Sequence, residues 1–273
     1  VAKVRKFLKV KVGHTGTLDP MATGVLPLVV GRATRLAQFF QAHDKEYGAE
    51  IRLGQSTDTF DREGRILEEH PVPEISSQQA QAVLSRFKGD IQQQPPMFSA
   101  VKVGGEKLYN LARRNLTVQR PSRTVSIFRL ELLEQTPVSW HLRVHCSSGT
   151  YIRTLVQEIG QDLGCGAVLY DLRRLRAGSF DLSQALPVQE LEEGWEEALC
   201  PMERLLPELP RVDLDEIEVM KIGHGNEITY KDSKPRILYR LFYKQKLMAI
   251  GEGNSAAQLR PKIVLRPIEG SSK

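Results

Sequence analysis

The feature that most limits what this chain can fold into is the two-residue alternation of 46–53, EYGAEIRL. With a side-chain period of two, Tyr47, Ala49, Ile51 and Leu53 share one side of a strand and the polar residues take the other. Stretches 124–134 and 139–147 read as two further strands joined by a turn at Pro137. A sheet with one apolar face needs a cover, and helical patterns supply it. One runs to about Phe87, capped by Ser76 or Ser77 and stopped by Gly89. Another spans 150–163, with Tyr151, Leu155, Ile159 and Leu163 on one face and Gly164 where a C-cap belongs. A third follows Gly31, with Ala33, Leu36, Ala37 and Phe40 on one face. This mixture predicts an α/β (mixed α+β) domain over 1–208 with a long mixed sheet. A Pro-punctuated acidic stretch leads out of it. Short strands at 236–243, 246–251 and 262–266 then predict a small β-rich module over 209–273.

Composition narrows the function classes. At 41% hydrophobic and 26% charged residues, the chain can bury a core and is not wholly disordered. No run approaches the roughly 20 apolar residues of a membrane span, and the longest, from Val25 to Val30, is broken by Pro27. No apolar core follows the basic opening residues as in a signal peptide, so a cytoplasmic protein is expected. Cysteines 146, 165 and 200 have neither the number nor the spacing for a disulfide framework or a cysteine zinc site. The net charge of +5 hides an uneven distribution: +8 over 1–180, −10 over 181–218 and +7 over 219–273. Basic surfaces attract phosphate backbones. Segment 101–125 carries Lys102, Lys107, Arg113, Arg114, Arg120 and Arg123 against Glu106. The opening adds Lys3, Arg5, Lys6, Lys9 and Lys11. Both are candidate nucleic-acid-facing strips.

Asp19 is the acid with the most informative surroundings. Gly13, Gly16 and Gly24 bracket it and Pro20 follows it, so the backbone there can approach a ligand closely and turn sharply. A carboxylate so held can act as a nucleophile or a base, although the same pattern serves an ordinary Asx turn. No G-K-[ST] follows, which excludes a phosphate-binding P-loop. An arginine such as Arg153, early in its helix, would favour the charged carboxylate and orient it if the two met. Tyr47 could stack on a base or handle a proton. Asp58 and Asp61 are two carboxylates without a third ligand. His141 and His145 share a strand face but also lack one, so no metal site is expected.

Five segments in order are more specific than any one of them. GHTGTLDPMATGVLPL at 13–28 resembles the catalytic motif of the TruB family of tRNA pseudouridine synthases. DKEYGAEIRLGQSTDTFDREG at 44–64 resembles that family's tyrosine strand and loop, and QQQPPMFSAVKVGGEKLYNLARR at 92–114 its RNA-binding insertion. CSSGTYIRTLVQEIGQDLGCGA at 146–167 resembles its arginine motif, and LYDLRRLRAG at 169–178 the pocket segment that follows. The module at 209–273 is similar to a PUA-type RNA-binding domain. The resemblance implies a pseudouridine synthase fold and an isomerase that converts the T-loop uridine 55 of tRNA to pseudouridine without cofactor or metal, acting as a monomer. It implies that Asp19 is the catalytic aspartate, Arg153 its partner, and Tyr47 the tyrosine that stacks on the uracil. It further implies that Leu172 lines the pocket, His14 helps extract the nucleotide, and Lys102, Lys107, Arg113 and Arg114 lie in the RNA-binding insertion at 92–123.

Two other readings share the basic surfaces: a tRNA-binding or tRNA-folding protein with catalysis lost, and a pseudouridine synthase acting on another RNA. Family members open with a K-P-x-G-x-T-S-type strand, whereas this sequence starts at Val1 without it, which reads as a truncated fragment. Segment 92–123 is expected to be mobile in the free protein.

Overall fold

The computed structural model describes residues 1–114 and 116–265. The chain divides into two compact units. One comprises Gly16–Pro27 and Phe40–Ala185. The other comprises Val1–Thr15, Leu28–Phe39 and Leu186–Lys273.

The first unit is built on a seven-stranded sheet. Its strands run in the spatial order Phe180–Asp181, Ala167–Ala177, Lys45–Leu53, Ser139–Cys146, Arg123–Gln135 and Gly89–Gln93, all antiparallel. The two-residue strand Thr23–Gly24 adds to Ala167–Ala177 in parallel. The alternation at 46–53 places Tyr47, Ala49, Ile51 and Leu53 on the buried face, as the sequence predicts. Trp140, Leu142 and Val144 from the next strand join them, and helices Ser77–Arg86 and Ile152–Asp162 contribute Ala80, Leu84, Leu155 and Ile159 to the same core. Ser76 caps the first helix through a full capping box with Gln79, which satisfies donors the helix leaves unpaired. The second helix ends at Asp162 with Leu163 as its C-cap, and Gly164 follows in the left-handed region. Its Gly160 is required by close approach: a Cβ there would lie 2.1 Å from the Ala167 amide nitrogen.

Segment 31–41 differs from the single helical face read in the sequence. It forms a 3-10 helix, Gly31–Leu36, followed by a short α-helix, Ala37–Gln41, although Ala33, Leu36 and Phe40 are buried as expected. In the other unit, Val12–His14 pairs antiparallel with Leu28–Val30. A five-stranded sheet runs Arg211–Asp213, Leu238–Tyr243, Lys246–Gly253, Gln258–Val264 and Ile228–Thr229. The helix Glu216–Gly223, with an Asp215 capping box, supplies Val219 and Ile222 to its core. The third strand read for this module, 262–266, starts earlier and ends at Val264, and residue 266 lies outside the described residues.

Candidate active site

Asp19 sits on a loop fixed from below. Its carbonyl accepts from the Ala22 amide at 3.0 Å, closing a turn with Pro20 at the second position, where its fixed φ fits. Met21, in the same turn, is buried in the core with Tyr47 and Leu172. The turn therefore presents the carboxylate while anchoring its own backbone.

The arginine that meets it comes from the first turn of the helix Ile152–Asp162. Arg153 Nη2 donates to Asp19 Oδ1 at 2.7 Å and Nε donates to Oδ2 at 3.2 Å. This is a two-point fork that fixes the carboxylate plane as well as its charge. The Arg153 side chain is only 5% exposed, whereas that of Asp19 is 26% exposed. An accessible carboxylate thus rests on an inaccessible cation. Arg153 also donates to the carbonyls of Thr59 at 3.0 Å and Phe98 at 2.9 Å. A second carboxylate, Asp61, stands 3.6 Å from its Nη1. Asp61 is held in turn by the Thr59 hydroxyl at 2.6 Å and the Glu63 amide at 3.1 Å. Gln93 fixes the helix start by donating to the Tyr151 carbonyl and accepting from its amide, at 3.0 and 2.7 Å.

Tyr47 lies on the central strand Lys45–Leu53, buried, directly across from Val144 on one side and Arg174 on the other. Burial pushes its hydroxyl up to about 12. The Arg174 guanidinium, as a charge and as a hydrogen-bond donor, pulls the other way, and the Asp19 charge adds to the rise. At neutral pH Tyr47 is a neutral phenol that carries its own proton. Leu172 is buried two residues before Arg174 on the same strand, opposite Ala49. His14 belongs to the other unit, where it pairs with Leu28, and its buried Nδ1 has no hydrogen-bond partner among the described residues.

The four basic residues of the insertion have different surroundings. Lys102 is exposed in a two-residue hairpin with Lys107. Lys107 and Arg113 gather about the Tyr109 ring at 5.4 and 5.6 Å from its centre. Arg114 pairs with Glu106 at 2.6 Å. Among the described residues, no three His, Cys, Asp or Glu side chains gather as a metal site.

Sequence reasoning missed Arg174, Gln93 and Tyr109 and read Asp61 only as a poor metal ligand. Asp61 had a visible signal in the STDTFD loop. Arg174 had none, because it is one arginine among three in LRRLR and only strand register selects it.

Residues 4–152 match the description "TruB family pseudouridylate synthase (N terminal domain)", and residues 153–207 match "tRNA pseudouridylate synthase B C-terminal domain". The chain is similar to the tRNA pseudouridine synthase B of Clostridium tetani (strain Massachusetts / E88), at 38% identity over 91% of this chain and 88% of that one. It is also similar to that of Bacillus pumilus (strain SAFR-032), at 45% identity over 85% and 79%. Among solved structures, "Crystal Structure of a Cbf5-Nop10-Gar1 Complex" aligns at a TM-score of 0.73 and 27% identity, covering 97% of this chain and 80% of that one. Family descriptions that together span 4–207, relatives alike over most of their length, and a fold in which a loop, a strand and a helix start bring Asp19, Tyr47 and Arg153 together agree: the chain belongs to the TruB family of pseudouridine synthases.

Proposed function

We propose that this chain isomerises a uridine of tRNA, the T-loop uridine 55, to pseudouridine, using Asp19, Tyr47 and Arg153. The observation that carries the reading is the bidentate Arg153–Asp19 pair, which leaves the carboxylate accessible beside a buried tyrosine. In the reaction the N1–C1′ bond breaks, the uracil turns, C5 bonds to C1′, the C5 proton leaves and N1 gains one. Atoms and electrons balance without a co-reactant. Asp19 acts on the sugar, either by attack or by removing a proton. Arg153 holds it charged and aimed. Tyr47 stacks on the uracil. Because its hydroxyl titrates at about 12, it relays the C5 proton only by passing its own onward. Leu172 lines the pocket and His14 fills the stack that the nucleotide leaves.

The target must leave its stack at a cost of about a few kcal/mol, of which aromatic stacking returns roughly 1–3. In this reading 1–208 is the catalytic domain. Its insertion 92–123, with Lys102, Lys107, Arg113 and Arg114, and a PUA-like module over 209–273 supply phosphate contacts. The protein works as a cytoplasmic monomer on the T-stem and loop. Single-turnover conversion of a T-arm stem-loop RNA, with Asp19→Asn alongside, is the test. Conversion by the parent and none by the variant is expected. Binding without conversion by the parent would leave a tRNA-binding protein. Conversion of other RNAs but not the T-arm would give the chemistry another target.

A further inference from the structure

Arg174 is fully buried, yet among the described residues no carboxylate lies within ion-pair distance of it. An unpaired buried guanidinium is costly unless its donors are satisfied. Here they are satisfied by main-chain carbonyls of one loop. Nη2 donates to Gly16 O at 3.1 Å, Nη1 to Thr17 O at 3.4 Å and Nε to Val25 O at 2.7 Å. Gly16 and Thr17 lead into the turn that carries Asp19, and Val25 leads out of it.

The Arg174 backbone grips the same loop. Its carbonyl accepts from the Val25 amide at 2.9 Å, and Gly24 pairs with it in the parallel ladder. Gly24 lies at φ +98°, and a Cβ there would meet the Arg174 carbonyl oxygen at 2.2 Å. On its other edge Arg174 pairs across strands with Tyr47. One residue therefore touches both limbs of the aspartate loop and the tyrosine.

We propose that Arg174 is a positioning residue whose guanidinium staples the two limbs of the Asp19 loop and supplies the positive charge that the Tyr47 hydroxyl faces. The proposal rests on reading Asp19 and Tyr47 as the reacting groups. A guanidinium spans two limbs with its planar fork, whereas an ammonium supplies the charge without the span. The two halves of the role are therefore separable with Arg174→Lys and Arg174→Met.

The experiment uses the full chain with a fluorinated tyrosine at position 47, which titrates nearer neutrality. It reads the fluorine NMR titration, amide exchange over 16–25, and single-turnover conversion and binding of a T-arm stem-loop. In Arg174→Met the fluorotyrosine midpoint is expected to rise by at least about half a pH unit. In Arg174→Lys it stays near that of the parent. Both variants should exchange faster over 16–25 and convert uridine about 10²-fold more slowly with the RNA dissociation constant unchanged, as misplacement of a reacting group requires. An unmoved midpoint in folded Arg174→Met, or parental rates in folded Arg174→Lys, would overturn the proposal. If Arg174→Met does not fold, the rate and exchange of Arg174→Lys decide. If the parent itself converts no uridine, the functional reading fails, while the titration and exchange still decide whether Arg174 holds the loop and the tyrosine.

Discussion

Asp19 and Tyr47 solve opposite problems. In the proposed reaction Asp19 must stay charged and reachable, and it is a quarter exposed and clamped by a buried arginine. In the same reading Tyr47 must be dry enough to stack, and its burial makes its hydroxyl hard to ionise. Asp19→Asn is expected to lower single-turnover conversion by about 10³-fold or more while RNA binding survives, measured on one T-arm substrate. Tyr47 also carries a stability signature. Its folded value of about 12 lies above the usual 10.0, so its contribution is complete below pH 10.0 and is lost as pH rises through about 12. Denaturant titrations at about pH 9 and about pH 11.5 should show a smaller alkaline loss for Tyr47→Phe than for the parent.

The helix Ile152–Asp162 shows how an element carries both scaffold and site. Its buried stripe was legible because Leu155 and Ile159 recur at helical spacing. Arg153 was not legible as buried, because it sits in the apolar first turn between Ile152 and Thr154, both also buried. The same limit applies along the strand Ala167–Ala177. Register shifts between Leu169 and Asp171 and between Arg174 and Arg176 set which residue faces Tyr47, and bulges have no dependable sequence mark. The strands at 46–53 and 139–147 were legible because alternation is a local property. Segment 31–41 was not fully so, because its apolar spacing fits a 3-10 turn as well as an α-helix. Two expectations belong to this helix. Gly160→Ala would force a Cβ against the Ala167 backbone and should cost about 1–3 kcal/mol in chemical denaturation. Glu158 is pushed up to about 7 by burial, so its stabilising contribution is complete below the usual 4.5 and lost as pH rises through about 7. Glu158→Gln should therefore raise the melting temperature at about pH 8 and leave it unchanged at about pH 4.

For the whole molecule, the +5 net charge matters less than its distribution, since the basic insertion and basic C-terminal segment are separated in sequence by an acidic one. T-arm binding should weaken steeply with salt. Replacing both Lys102 and Lys107 by Gln should flatten the log–log salt slope by about 1–2 if they contact phosphates. The twofold charge balance of Arg153 has a different reach. When Asp19 is made neutral, Arg153 keeps Asp61 and the carbonyls of Thr59 and Phe98. The carboxylate proposed to react is thus a removable part with a spare counter-ion already in place behind it. The inert Asp19→Asn protein should keep its architecture and hold RNA with the bond intact, a ready-made trap for recovering natural substrates from a cell.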